Sequence, residues 1–194
     1  MKITGQTETI FPTYIYTGEI SQETHLATLG KLANIEWGKV PLTNKAHGMN
    51  VSKVKSEPTF EADVISEYEL SELHEELGHH LRSYCDAIGV PMDVTGRTSW
   101  ITQYQKGEYA VQHSHGSSMI SLAYYIASNG EDGEFYLCDH SPARFVPLTE
   151  NMGHIITIPP EERKIILFPS WMEHGVNQNR TDNVRRCLSA NFYR

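Results

Sequence analysis

From Asp93 onward the chain is a succession of short β-rich runs, and no other feature constrains its fold as strongly. Residues 98–105, 109–113, 119–127, 134–138, 154–158, 164–168 and 184–193 are such runs, separated by turn formers such as Lys106-Gly107, Asn129-Gly130, Asp132-Gly133 and Pro159-Pro160. Short strands at regular intervals with glycine and proline between them predict a sandwich or barrel of antiparallel strands. The earlier part reads differently. Ser66 and Glu69 form a capping box for a helix over residues 67–88, with Leu70, Leu73, Leu77, Leu81, Tyr84 and Ile88 at three- and four-residue spacing and Gly89 at its C-terminal stop. Ser21 caps a shorter helix carrying Leu26, Leu29 and Leu32 on one face. Residues 10–16 form an extended run in which Pro12 suits a strand edge, and residues 34–61 are polar and irregular. Helices first and strands afterwards make an α+β, mainly β domain. The expectation is a single domain over residues 1–194, mixed helical and extended over 1–93 and β core over 94–194.

At 194 residues the chain can bury on the order of 70% of its unfolded surface, so it needs no disulfide staples. Cys85, Cys138 and Cys187 are few, odd in number and widely spaced, as in proteins of a reducing compartment. The first residues, MKITGQTETIF, lack the apolar stretch of a secretory signal, and no apolar run approaches the roughly 20 residues that span a bilayer. A cytoplasmic protein without a membrane partner is expected. Against 16 lysines and arginines stand 24 acidic residues, a formal charge of −8, which makes nucleic acid a poor default partner.

The chemistry begins at His113-Ser114-His115. Side chains two apart in a strand share a face, so both imidazoles can aim into a barrel, and imidazole suits iron, zinc, copper and nickel. Gly107 places a turn ahead of this pair, and a third histidine, His174, follows the apolar run Ile165-Ile166-Leu167-Phe168 and Pro169. An early H-x-H pair and a late histidine are how a double-stranded β-helix assembles a metal site facing one side. Taken singly, an H-x-H is also compatible with two surface histidines. Glu134 and Asp139 are alternative carboxylate ligands, ranked below His115 because neither has its two-residue spacing from His113. The remaining histidines are read as solvent-side or without spaced partners. In the last run Arg185, Cys187, Ser189 and Asn191 share one face, and Arg186, Leu188, Ala190 and Phe192 the other. An inward arginine fork asks for an anion met bidentately, with Ser189 adding a hydrogen bond. The competing readings are an ion pair with Asp182 or another carboxylate at the strand entrance, or a one-residue register change that puts Arg186 inside. Trp100, Tyr104 and Trp171 are candidate pocket walls.

Several motifs in order carry a resemblance: Phe11-Pro12-Thr13, Ser99-Trp100, Gly107-Glu108-Tyr109, His113-Ser114-His115, Ser121-Leu122-Ala123-Tyr124-Tyr125, Phe168-Pro169-Ser170-Trp171 with His174, and Arg185 through Asn191. In these the chain resembles a family of Fe(II)/2-oxoglutarate-dependent oxygenases of marine bacterial and phage type. The resemblance implies a jelly-roll, cupin-like double-stranded β-helix barrel with N-terminal helices packed on it. It also implies an Fe(II) ion on His113, His115 and His174, with 2-oxoglutarate as co-substrate. The distal carboxylate of 2-oxoglutarate would be held by Arg185, with Ser189 and Asn191 on the same strand face. By similarity to prolyl-hydroxylase-type relatives Tyr125 also touches that carboxylate, a core tyrosine being the other reading. The implied activity is a hydroxylase acting on an unidentified small molecule or peptidyl side chain. One departure is His115, which stands where most such enzymes place a carboxylate. Two other readings stay open: a cupin-type three-histidine metalloenzyme that does not use 2-oxoglutarate, and a non-catalytic β-barrel binding module. The sequence also leaves a homodimer open.

Overall fold

Strand alternation decides the architecture. The computed structural model describes residues 12–39, 50–54, 57–58, 62–139 and 154–194. In chain order its elements are β1 (Tyr16–Glu19), α1 (Gln22–Lys31), β2 (Trp37–Lys39), β3 (Asn50–Val54), β4 (Glu57–Pro58), α2 (Val64–Glu67) and α3 (Ser71–Ala87). There follow β5 (Gly96–Tyr104), β6 (Ala110–His113), β7 (Ile120–Ala127), β8 (Phe135–Cys138), β9 (Ile155–Ile158), β10 (Lys164–Pro169), β11 (His174–Val176) and β12 (Arg185–Tyr193). Strands β1-β10-β7-β12-β5-β3-β2 form a large sheet, with β4 on β3, and β6-β11-β8-β9 form a small one. The chain crosses between the two sheets repeatedly from β5 to β12, and the strand pairs are antiparallel. This is a double-stranded β-helix.

The large sheet is buried on both faces, so its strands read as continuous apolar runs whose alternate residues go to different places. Leu122, Tyr124 and Ile126 of β7, Ile165 and Leu167 of β10, and Leu188, Ala190 and Phe192 of β12 pack outward into a core shared with Leu73, Leu77, Leu81 and Tyr84 of α3. Ala123, Tyr125, Ile166, Phe168 and Cys187 point the other way, toward Phe135 and Leu137 of the small sheet. All seven expected β runs form strands. The sequence reading missed β11, which has three residues and no room for a period.

The helices differ from expectation in two respects. The long helix is broken: Glu69 takes a left-handed φ of 50°, and α3 starts only at Ser71. That conformation costs a non-glycine residue on the order of 1–2 kcal/mol. It turns Leu70 into the core and lets its N–H close on Ile65 O at 2.9 Å. Ser66 caps nothing; its hydroxyl donates to Asp63 instead. The C-terminal stop is as expected, with Gly89 at φ +70° and Val90 N–H on Cys85 O at 3.0 Å. In α1, Ser21 is the cap, but Thr24, His25 and Thr28 form the buried face and Leu26 is 56% exposed. The polar stretch after α1 contributes β2, β3 and β4 at the edge of the large sheet, where pairing with β5 supplies order that local pattern did not announce. Among the described residues no helix is long and apolar enough to cross a membrane.

Candidate active site

His113 ends β6 and pairs directly with His174, the first residue of β11. The strand stops there, so His115 lies beyond it rather than in it. Its convergence with His113 comes from the loop: its N–H donates to Ser170 O at 2.8 Å, and its carbonyl accepts from Ser118 N at 3.0 Å and Ser118 Oγ at 2.9 Å. The three rings meet, with centroids 5.0 Å apart for His113–His115, 4.4 Å for His113–His174 and 5.1 Å for His115–His174. Their candidate ligand atoms all lie within 4.8 Å of one another. Gly175 is needed beside His174, because a Cβ there would meet Tyr136 Oη at 2.3 Å.

The donor set suits a divalent metal. His113 Nδ1 faces Val111 O at 2.7 Å and His174 Nδ1 faces Met172 O at 2.9 Å. A carbonyl only accepts, so both rings carry Nδ1–H and keep an Nε2 lone pair for the metal. Burial first, then the neighbouring His113 and His115, push the His174 pKa well below its ordinary value, which keeps it neutral despite the opposing hydrogen bond to Met172. Among the described residues no carboxylate joins the group. Glu134 accepts from Asn177 Nδ2 at 3.0 Å, and Asp139 lies 3.4 Å from His154.

The histidines open into a cavity of about 530 Å³ that Arg185, Cys187, Ser189 and Asn191 also line, together with Trp100, Tyr104 and Tyr125. Arg185 is 1% exposed and its guanidinium lies 4.1 Å over the Tyr104 ring. Its Nη1 donates to the backbone carbonyls of Asp132 and Gly133, while its buried Nε has no partner among the described residues. Among the described residues no carboxylate pairs with it; Asp182 is held by Lys106 at 2.9 Å. Arg186 faces outward and donates to Gln103 Oε1 at 2.9 Å, so the inward register belongs to Arg185. A buried cation without a carboxylate partner among the described residues, in the same cavity as three imidazoles, fits an anionic ligand. Burial raises the Tyr104 phenol to about 12, against the opposing charge of Arg185, and pushes Tyr125 higher still, so both stay hydrogen-bond donors.

Two features escaped sequence reading. Asp132 is fully buried and ties Ser128 (2.6 Å), Asn129 N (3.0 Å) and Asn183 Nδ2 (2.6 Å) into the turn whose carbonyls receive Arg185. Gly133 holds φ +100°, and a Cβ there would meet Asn177 O at 2.3 Å. The dipeptide Asp132-Gly133 signals a turn but not what the turn holds. Trp171, expected as a pocket wall, is 51% exposed and does not line the cavity. His25, read as a histidine without spaced partners, is buried against Tyr124 Oη at 2.6 Å, and His80, read as solvent-side, meets Tyr16 Oη at 2.8 Å. His47, His140 and the Phe11 end of the extended run lie outside the described residues.

Residues 98–191, the strands that build this cavity, match the family described as "Putative 2OG-Fe(II) oxygenase". The core is that of a 2-oxoglutarate/Fe(II) oxygenase. Solved structures of the same fold include a prolyl hydroxylase from Trichoplax adhaerens in complex with a hypoxia inducible factor peptide fragment (TM-score 0.64, 16% identity, 92% of this chain and 83% of that one). A Pseudomonas putida prolyl-4-hydroxylase gives a TM-score of 0.65 at 11% identity over 94% of this chain and 93% of that one. HygX from Streptomyces hygroscopicus, solved with nickel and 2-oxoglutarate bound, gives 0.60 at 10% identity over 93% and 83%. No curated protein sequence matches the chain. Of the readings that the sequence left open, the family match selects the oxygenase that couples oxidative decarboxylation of 2-oxoglutarate to oxidation of a substrate.

Proposed function

We propose that this oxygenase holds Fe(II) through His113, His115 and His174, and 2-oxoglutarate through Arg185 with help from Ser189 and Tyr125. The observation that carries the assignment is Arg185: a buried guanidinium with an unmet Nε in the same cavity as the three imidazoles. With iron bound, the centre supplies the decarboxylation of 2-oxoglutarate to succinate and carbon dioxide and the oxidation of the substrate. The chain's own part is orientation. The Val111 and Met172 carbonyls fix two imidazoles in the tautomer that offers Nε2. Arg185, braced on the turn at Gly133 and stacked on Tyr104, fixes the far end of the co-substrate. Phe135 and Phe168, 5.5 and 4.7 Å from the His174 ring, keep water from that side. Three neutral ligands leave the ion its full positive charge, which favours a dianionic co-substrate. The substrate class is a small molecule or a peptidyl side chain; the prolyl hydroxylase neighbour solved with a peptide fragment supports the latter. The small number and wide spacing of the buried Cys85, Cys138 and Cys187 support a reducing, cytoplasmic setting.

Succinate formation from 2-oxoglutarate under air, with Fe(II) and ascorbate, tests the function. The expected result is slow turnover without substrate that is lost in His174→Ala. Turnover unchanged in that variant would remove the histidine centre from the reaction.

A further inference from the structure

Asn191 shares the inward face of β12 with Arg185 but stands six residues further on, about 20 Å along the strand at ~3.4 Å per residue. Its contacts lie at the histidine end of the cavity. It is 6% exposed, and its amide is drawn with Nδ2 3.3 Å from His115 Nδ1 and Oδ1 accepting from Ser121 Oγ at 2.8 Å. Ser121 Oγ in turn meets Ser170 Oγ at 2.9 Å. Ser170 is the residue whose carbonyl receives the His115 N–H, and its own N–H donates to Met119 O at 3.0 Å. The histidine that lies past the end of its strand is therefore gripped at backbone and ring by one buried polar corner.

The other two imidazoles have carbonyls at Nδ1, which permit only one tautomer. At His115 an amide takes that place, and an amide presents either an oxygen or an NH₂ of nearly the same size. Both orientations satisfy the chain of hydroxyls. With the oxygen toward Ser121, Ser121 donates to it and accepts from Ser170. With the oxygen toward His115, the amide nitrogen donates to Ser121, which donates to Ser170. Only the second leaves His115 with Nδ1–H and an Nε2 lone pair.

We propose that Asn191 is the positioning residue of the third histidine: its amide oxygen accepts the His115 Nδ1–H and holds the ring with Nε2 toward the metal, while Ser121 and Ser170 orient the amide. This rests on the reading of His113, His115 and His174 as the metal centre. Asn191 then belongs to the metal end of the cavity, not to the grip on 2-oxoglutarate.

The test is anaerobic titration of metal-free protein with Co(II), followed by its visible absorption, in wild type, Asn191→Leu, Asn191→Asp and His115→Ala. Loss of such a supporting hydrogen bond weakens metal binding by about 10–100-fold. That loss is expected in Asn191→Leu, with recovery in Asn191→Asp, whose carboxylate accepts the same N–H. The 2-oxoglutarate affinity at saturating Co(II) should change less than about two-fold in Asn191→Leu, because Arg185 is untouched. In Zn(II)-loaded protein the imidazole ¹⁵N shifts of His115 should report protonated Nδ1 and metal-bound Nε2. Wild-type affinity in Asn191→Leu, or no recovery in Asn191→Asp, overturns the proposal while the metal centre stands. Unchanged affinity in His115→Ala overturns the metal centre itself and the proposal with it.

Discussion

Two arginines sit near opposite ends of the β5–β12 ladder, Arg97 opposite Phe192 and Arg185 opposite Tyr104, and their surroundings could hardly differ more. Arg97 is saturated. Its Nε and Nη2 form a fork on the Asp63 carboxylate at 2.9 and 2.8 Å, Nη2 also reaches Ser66 Oγ at 3.2 Å, and Nη1 meets His74 Nδ1 at 2.9 Å. The carboxylate is shared in turn with Ser99 Oγ at 2.6 Å, which ties α2 to β5. Arg185 is more deeply buried yet has two backbone carbonyls, an aromatic face and an unmet Nε. A charge that closes its own account holds the fold together; a buried charge left open is kept for a ligand.

The comparison breaks first at Arg185. Arg185→Leu should weaken 2-oxoglutarate binding by roughly 100-fold or more, since truncating a buried charge pair costs on the order of 2–5 kcal/mol. The ligand-free variant should be no less stable than wild type, because an uncompensated buried cation has gone. Calorimetric titration with Mn(II)-loaded protein and urea unfolding read the two halves separately. At the other end the signs reverse. Asp63→Ala should destabilise the fold by about 2–4 kcal/mol, leaving Arg97 without its partner, and leave 2-oxoglutarate affinity unchanged.

Acid sharpens the same contrast. Burial would raise the Asp63 carboxyl, but the hydrogen bonds from Arg97, Ser66 and Ser99 outweigh it and hold the pKa at about 2 against 3.8 ordinarily. The unfolded chain therefore binds the proton first. The stability from this group, about 2 kcal/mol, is complete above roughly pH 4 and is lost as the pH falls toward 2. Asp63→Asn should flatten the urea midpoint across that window. A smaller effect belongs to His25, where burial outweighs the attraction of Glu162 and lowers the pKa below 6.5. Here too the unfolded state binds the proton first, so stability declines as the pH drops below about 6.5, and His25→Gln should make that decline shallower.

How much of this was legible in the sequence follows from the range over which each signal acts. The β runs and the inward face of Arg185, Cys187, Ser189 and Asn191 follow from a period of two, which neighbouring residues alone establish. His113, His115 and His174 were legible as a group because glycine and proline punctuation marks the strand ends at which His113 and His174 sit and which His115 follows. The break at Glu69 was not, since a non-glycine residue at positive φ is stabilised by burying Leu70, a tertiary effect. Nor was the buried face of α1, where His25 lies inside through its bond to Tyr124, 99 residues away in sequence. The Asp132–Gly133 cradle reads locally as any tight turn does; only the strand pairing that brings Arg185 beneath it gives it a role.

The central claim is that one cavity holds the metal on the histidines and 2-oxoglutarate on Arg185, and the visible charge-transfer band of Fe(II) chelated by 2-oxoglutarate, recorded without oxygen, tests it most directly. The account predicts a band in wild type, no band in His113→Ala, and in Arg185→Leu a band that forms only at roughly 100-fold more 2-oxoglutarate. A band of wild-type strength at wild-type concentration in Arg185→Leu, or one that survives in His113→Ala, would contradict it.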